Sequence, residues 1–422
     1  MTFDSFDLDA KLLKALAASG FHEPTPIQGQ AIPAALLGGD VMACAQTGTG
    51  KTAAFVLPML QRLLTPSSGP GRGPRALVLT PTRELALQVH ESILRLGRFC
   101  QVLTGTVVGG VPYGPQYRLF EKPLDILVAT PGRLMDHMAQ GRVRFERLEV
   151  LVLDEADRML DMGFLDAVRK IAASLPQERQ TLLFSATLEG AVLGISRQLM
   201  KEPVRITLAT NHDAHAAIAQ VVHLVDDAAH KRRLLAHYLA DTALMQGVIF
   251  TATKRGADKL AKDLSFDGHA STALHGNMNQ SQRQRAIEGA RRGKYRLLVA
   301  TDVAARGLDI KGLSHVINYD LPMVAEDYIH RIGRTGRAGA SGQAISLVDA
   351  ESFGKLVRIE RLIGRKLDRT IISGLEPIRP EPRHADARNT RPGARNGKRP
   401  ASPPARQKTW DSGARGWQGK GK

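Results

Sequence analysis

The chain has 422 residues, 43% of them hydrophobic but only 5% aromatic, and its 58 Lys and Arg against 41 Asp and Glu leave a formal net charge of +17. Two cysteines, Cys44 and Cys100, in no C-x-x-C spacing exclude a disulfide framework and a cysteine zinc site, and no run nears the roughly 18 apolar residues of a membrane span. Such a positive excess points to a polyanionic partner. Met1-Thr2-Phe3-Asp4 lacks the basic and apolar blocks of a secretory signal, so a soluble cytoplasmic protein without a membrane partner is expected.

Leu8, Leu12, Leu13 and Leu16 recur at helical spacing and predict an amphipathic opening helix that ends near Gly20. Next comes Ala45-Gln46-Thr47-Gly48-Thr49-Gly50-Lys51-Thr52. Its glycines let backbone N–H groups turn inward around a polyphosphate, Lys51 reaches the β and γ phosphates, and the Thr52 hydroxyl can hold Mg²⁺ at a helix N-terminus. The strict phosphate-loop pattern opens with Gly where this chain has Ala45, yet Gly48, Gly50, Lys51 and Thr52 keep every group that touches phosphate or metal. The plainer alternative is a Gly-rich turn before an apolar helix. Thr65 to Arg75 is Pro, Gly and Ser rich, the composition of a mobile surface connection.

Apolar, β-rich runs then alternate with helical stretches: Ala76 to Leu79, Ile126 to Ala129, Val150 to Leu153 and Thr181 to Phe184. That alternation predicts a parallel sheet with helices on both faces. Asp154-Glu155-Ala156-Asp157 follows the third run at once. Beside a phosphate loop, adjacent carboxylates suit holding a metal and aiming a water; without one they would read as an acidic helix start. The pattern pauses across Thr210 to Ala217 and restarts with Gly247 to Phe250, Tyr295 to Ala300, His315 to Asn318 and Gly342 to Val348. Two α/β domains are therefore expected, at 1–209 and 218–375, joined by a linker at 210–217 and followed by a tail at 376–422.

Polar clusters follow the apolar runs directly: Pro81-Thr82-Arg83-Glu84, Thr130-Pro131-Gly132-Arg133, Asp154 to Asp157, Ser185-Ala186-Thr187, Thr251-Ala252-Thr253 and Thr301-Asp302. Open parallel sheets bind ligands beyond the carboxyl ends of their strands, which is where these residues would lie. His330-Arg331-Ile332-Gly333-Arg334-Thr335-Gly336-Arg337 reads either as a basic helix end or as a pair of arginines able to reach a nucleotide. Residues 379–422 hold twelve Lys or Arg against three Asp or Glu, and with few aliphatic side chains the tail is expected to be disordered. Its Trp410 and Trp417 are candidate stacking groups for bases.

In order and spacing these motifs resemble the DEAD-box ATP-dependent RNA helicases over roughly Phe3 to Leu375, and the tail and short N-terminus resemble the bacterial RhlE-like branch. The resemblance implies two tandem RecA-like domains, ATP with Mg²⁺, and RNA bound largely without regard to sequence. It assigns adenine reading to Gly20-Phe21-His22-Glu23-Pro24-Thr25-Pro26-Ile27-Gln28, above all Thr25 and Gln28, with Phe3 as an upstream aromatic. An amide can donate and accept toward adenine, and a ring can stack on it. Thr47, Gly48, Thr49, Gly50, Lys51 and Thr52 would hold phosphates and Mg²⁺, Asp154 the metal through water, and Glu155 the attacking water. By the same resemblance Asp309 touches the ribose, and Arg334 and Arg337 act as arginine fingers. Ser185 and Thr187, partnered by His330 and Asp157, would couple the ATP site to RNA-dependent closure.

The implied RNA face takes Pro81, Thr82, Arg83, Gly109, Gly110, Thr130 and Arg133 from the first domain and Gln280, Arg283 and Thr301 from the second. Such groups suit phosphate and sugar contacts, which position a strand without reading it. With few aromatics on this face, base stacking is not the expected grip, and selection of RNA would rest on the 2′-hydroxyl. One departure is Ala290, where the family usually has Phe; softer packing is expected there. The implied activity is local unwinding of short duplexes or remodelling of RNA–protein complexes. An ATP-gated RNA clamp or ribosome assembly factor is the alternative, and a DNA translocase the third, disfavoured by the lack of a DNA-reading module. Ribosome assembly, RNA decay and cold adaptation are the implied settings, with ribosomal or RNA-decay proteins as candidate partners of the tail.

Overall fold

A computed structural model describes residues 1–45, 49–66, 71–188, 190–208, 218–305, 310, 313–336 and 342–382. The expected linker and the chain from 383 onward, including Trp410 and Trp417, lie outside the described residues.

The first sheet comprises β1 (Val41–Cys44), β2 (Ala76–Leu79), β3 (Thr104–Val107), β4 (Ile126–Ala129), β5 (Val150–Asp154), β6 (Gln180–Ser185) and β7 (Val204–Thr207). Their spatial order is β3-β4-β2-β5-β6-β1-β7, with every pair parallel. The second sheet comprises β8 (Ile218–Leu224), β9 (Gly247–Phe250), β10 (Ser271–Leu274), β11 (Leu297–Ala300), β12 (His315–Asn318), β13 (Gly342–Val348) and β14 (Asp368–Arg369). Its order, β10-β11-β9-β12-β13-β8-β14, repeats the first with each strand advanced by seven. The two domains thus share one topology, and both present their functional loops at carboxyl strand ends.

Strand residues alternate between the two faces. Val78, Val128, Val152 and Phe184 pack with Phe55 and Leu60 on one side, while Leu77, Leu127, Leu151 and Leu183 pack with Leu134, Val168 and Ile195 on the other. Burial on both faces explains why these strands read as unbroken apolar runs. The opening helix runs Ala10–Ala18 and stops before Gly20, whose φ of 75° is the left-handed conformation that glycine tolerates. No helix among the described residues is long and apolar enough to cross a membrane.

Three local expectations change. The described part of the Thr65 to Arg75 loop is pinned: Arg72 N–H donates to Glu146, Gly73 C=O accepts from Arg147, and Arg75 pairs with Glu149 at 2.6 Å. Residues 376–382, expected to open the tail, are tied to the second domain, because the Ile378 and Arg379 N–H groups donate to Asp226 at 2.9 Å each and Arg369 pairs with Glu381. Around Ala290, which is itself buried, the Tyr295 ring covers Gly289; a Cβ added there would lie 2.5 Å from the ring. A groove lined by Met278, Arg285 and Lys294 opens beside Gly289.

The helix Ala325–Ile332 is held by one buried guanidinium. Arg331 donates twice to Asp302, at 2.5 and 2.7 Å, and also to Asn318 Oδ1 and the Asp320 carbonyl, while lying 4.7 Å from the Phe250 ring centroid. Arg331→Ala is predicted to destabilise the chain by about 3 kcal/mol, because it leaves half-buried Asp302 and buried Asn318 without their cation. Urea unfolding followed by tryptophan-independent far-ultraviolet signal should show a lower midpoint; an unchanged midpoint would remove this residue as the anchor.

Candidate active site and nucleic-acid interface

Four elements of the first domain converge on the candidate nucleotide site. Gln28, fully buried at the start of the helix Pro26–Leu36, accepts from the Thr25 N–H at 2.9 Å and donates to the Gly50 carbonyl at 3.1 Å. Gly50 has φ 94°, and a Cβ there would meet Gln28 Nε2 at 2.4 Å, so glycine is required both by conformation and by space. The Gln28 amide therefore ties the adenine-reading segment to the phosphate loop. Phe3 is buried edge-on against Phe6 and Phe21, which makes it an anchor of that segment.

Thr49, Gly50, Lys51 and Thr52 open the helix Lys51–Leu64; Thr47 and Gly48 lie outside the described residues. Lys51 Nζ and Asp154 Oδ1 are both buried without a hydrogen-bond partner. Buried polar atoms are rarely left so, and this pair fits a polyphosphate with a divalent cation. Burial pushes the Asp154 carboxyl up to about 7 despite the nearby Lys51 ammonium. No cluster of three or more His, Cys, Asp or Glu among the described residues forms a metal cage, as suits an ion held largely by substrate oxygens.

Glu155 takes a left-handed backbone, φ 53°, unusual for a residue with a side chain and typical of strain at functional positions. Burial opposes its charge, yet Arg158, Lys51 and Arg334 together draw the carboxyl down to about 2. Arg158 supplies the direct contact, Nη1 to Oε2 at 2.6 Å, one helical turn along the chain. Its Nε and Nη2 are buried without partners. Arg158 was not among the residues singled out by motif; its spacing of three from Glu155 on a helix start was the available signal.

The second domain supplies the opposite wall. Arg334, buried at the end of the helix Ala325–Ile332, donates from Nε to the His330 carbonyl at 3.1 Å. Burial and the neighbouring Arg158 push the His330 imidazole down to about 3, so it is neutral at working pH. Arg158, Asp302, Asp327, His330, Arg331 and Arg334 line one small cavity between the domains. Asp309 and Arg337 lie outside the described residues.

Ser185 and Thr187 meet Asp157. Asp157 Oδ2 accepts from the Ala186 and Thr187 N–H groups at 3.1 and 3.2 Å, and Ser185 Oγ accepts from the Asp157 N–H at 3.3 Å. The ends of β5 and β6 are thereby locked together.

At the expected RNA face, the carboxyl ends of β2, β3 and β4 bring Pro81, Thr82, Arg83, Gly109, Gly110, Thr130 and Arg133 to one side. Thr82 caps its helix by accepting from the Leu85 N–H, and Thr130 precedes the helix Pro131–Ala139. Arg83 lies over Gly110, where a Cβ would clash with Nη1 at 1.8 Å. Two contacts cross to the second domain: Arg83 donates to Gln280 at 3.3 Å, and partly buried Arg283 pairs with buried Glu84 at 2.9 Å. Thr301, at the end of β11, is buried one residue before Asp302. Arg133 is turned inward, donating to the Val111 carbonyl at 2.7 Å, so it shapes the glycine loop.

Comparison with known proteins agrees with this geometry. The DEAD/DEAH box helicase profile matches residues 25–193, and the helicase conserved C-terminal domain matches 230–339. The ATP-dependent RNA helicase SrmB of Haemophilus influenzae is 44% identical over 389 residues, covering 92% of this chain and 88% of its own length. The DEAD-box ATP-dependent RNA helicase RhpA of Helicobacter pylori is 43% identical, covering 87% and 73%. Among solved structures, S. cerevisiae Dbp5 bound to RNA and ADP BeF3 superimposes with a TM-score of 0.79 at 35% identity, covering 87% of this chain and 95% of that one. A DEAD box protein from Methanococcus jannaschii is 37% identical and covers 88% and 99%, yet reaches only 0.53. Two repeated RecA-like domains, a buried Glu155 near Arg334 of the second domain and these matched sequences together make the chain a member of the DEAD-box ATP-dependent RNA helicase family.

Proposed function

We propose that this chain hydrolyses ATP in response to RNA and uses the cycle to unwind short duplexes locally or remodel RNA–protein complexes. One observation carries the reading: the charge of buried Glu155 is balanced by cations from both domains. A nucleotide in the first domain would meet its complete environment only when the second domain is seated. The seating contacts, Arg83 with Gln280 and Glu84 with Arg283, belong to the RNA face. RNA binding and completion of the ATP site are thus one event.

In this reading Lys51 neutralises the terminal phosphates and Thr52 with Asp154 would hold Mg²⁺, which supplies charge neutralisation when bound. Glu155, kept ionised and aimed by Arg158, orients the attacking water. Arg334 and Arg337 stabilise charge on the transferred phosphoryl group, and Asp309 touches the ribose. Thr25 and Gln28 favour adenine. Asp157 with Ser185 and Thr187 relays the seating of the second domain to the metal side of the site. The RNA contacts are to phosphate and sugar, so duplexes of many sequences are substrates. The Pro- and Arg-rich tail supports placement in the RhlE-like branch, a cytoplasmic setting and contact with ribosomal or RNA-decay proteins. Measuring ATP turnover with single-stranded RNA, single-stranded DNA and no nucleic acid, alongside displacement of a short labelled duplex, tests the whole; RNA-stimulated turnover without displacement would leave a clamp, and equal stimulation by DNA a translocase.

Glu155→Gln is predicted to bind ATP and RNA while hydrolysing at least about a hundredfold more slowly, giving a long-lived RNA complex; brisk turnover would remove Glu155 from the water-orienting role. The raised Asp154 carboxyl sets a pH dependence. Its folded value near 7 exceeds the ordinary 3.8, so between these pH values the metal-free fold holds one more proton than the unfolded chain and loses stability as pH rises. Mg²⁺ binding needs the carboxylate, so Mg²⁺-dependent affinity for a fluorescent ATP analogue should rise with pH up to about 7 and flatten above. Asp154→Asn should abolish that rise, and a rise of equal size in the variant would contradict the assignment. Removing residues 383–422 should weaken RNA binding and flatten its salt dependence, since each lost phosphate contact lowers the slope of log K against log salt by roughly one; an unchanged slope would deprive the tail of this job.

A further inference from the structure

Beyond the glycine loop of the RNA face stands an aromatic surface that the motifs do not account for. Tyr113 and Tyr117 lie one turn apart on the helix Tyr113–Phe120, their ring centroids 5.9 Å apart and their planes within 31° of parallel. Each ring carries a guanidinium: Arg133 is 4.1 Å from the Tyr113 centroid and Arg142 is 4.7 Å from that of Tyr117. Each hydroxyl is fixed by the neighbouring helical segment, Tyr113 donating to Asp136 at 3.0 Å and Tyr117 to Gln140 at 2.9 Å. Beneath both rings, buried His137 packs nearly edge-on, at 5.5 and 5.6 Å.

This surface is rigid and still open to solvent. Tyr113 remains 36% exposed and Arg142 is exposed, although a tyrosine pair needed only for packing would bury its rings. It is also continuous with the RNA face. Arg133, which underlies Tyr113, donates to the Val111 carbonyl directly after Gly109 and Gly110, and Gln116 between the tyrosines donates to the Val108, Val111 and Pro112 carbonyls. The loop and the aromatic helix therefore form one solid unit. Asp136, the acidic group at the edge, is paired with Arg133 at 3.6 Å, which leaves the positive field of Arg142 facing an incoming strand.

Fixed tyrosines with stacked guanidiniums suit unpaired nucleobases, because every base has a π-face and its phosphate is drawn to the adjacent cation. We propose that Tyr113 and Tyr117, backed by Arg133 and Arg142, form a stacking platform for two consecutive unpaired bases of RNA where the strand leaves the Gly109-Gly110 loop. The proposal rests on the reading of this face as the RNA track and adds to it a grip on bases, where phosphate and sugar contacts alone were expected. It gives the first domain a means of holding the single strand once its partner has been displaced.

The test uses the unmodified full-length chain, a non-hydrolysable ATP analogue and a series of single-stranded RNAs in which one base at a time is replaced by an abasic site. Phosphates are unchanged in this series, so only base contacts are read. The platform predicts one or two adjacent positions at which removal of the base weakens binding by about tenfold. In Tyr113→Ala/Tyr117→Ala those positions should become silent, while Tyr113→Phe, which keeps the ring, should preserve the pattern. A flat profile for the unmodified chain overturns the platform, as does a profile that survives in the double alanine variant. Absence of any RNA binding by the unmodified chain would overturn both the platform and the reading beneath it, and so is distinguishable from failure of the platform alone.

Discussion

A carboxylate buried at a domain boundary must be balanced by charge from somewhere, and Glu155 draws that charge from both sides. Arg158 and Lys51 reach it from its own domain, Arg334 from the other. Desolvation alone would protonate it; the surrounding cations instead hold it ionised. In the proposed mechanism, the work of Glu155 as a water-orienting carboxylate is therefore conditional on how the two domains sit. Its left-handed backbone adds to this, since the turn after β5 is strained to aim the side chain into the cleft.

A second boundary contact makes the seating specific. Glu84 is buried and Arg283 partly so, so separating the domains must rehydrate the pair, and removing Arg283 would leave the buried Glu84 carboxylate without its cation. Arg83, lodged over Gly110 and bonded to Gln280, joins the glycine loop to the same seam. Between this seam and Glu155 runs a short covalent and hydrogen-bonded route: β2 pairs with β5, β5 with β6, and Asp157 bonds the backbone after Ser185. Sheets whose ligand loops all emerge at one edge place the RNA face and the ATP site on adjacent loops of one rigid body. The topology, repeated strand for strand in the second domain, supplies the matching edge.

Much of this was legible in the chain because central parallel strands are buried on both faces and so read as apolar runs. Ala76 to Leu79, Ile126 to Ala129 and His315 to Asn318 coincide with β2, β4 and β12. Other strands gave weaker signals. β3 is Thr104–Val107, polar and glycine-bearing at a sheet edge, and β14 has only two residues. β1 merges with the apolar stretch around the phosphate loop, and β10 is only half-buried. The site motifs could be found by string and spacing, but their partners could not. Arg331 looked like part of a basic helix end, and only the fold shows it locked to Asp302, Asn318 and Asp320. Phe3 and Gln28 carried an adenine reading by resemblance, while the fold also gives them anchoring contacts that no local pattern encodes. Tyr113 and Arg133 lie 20 residues apart, and their stacking depends on two helices meeting.

A hydrolytic centre completed across the domain boundary needs Arg334 for turnover but not for nucleotide binding. The most direct measurement is RNA-stimulated ATP turnover of full-length Arg334→Ala, made alongside nucleotide and RNA affinity. Nucleotide affinity near that of the unmodified chain with turnover lower by about a thousandfold or more is the predicted result, the scale on which arginine fingers act. Turnover close to that of the unmodified chain would contradict the account.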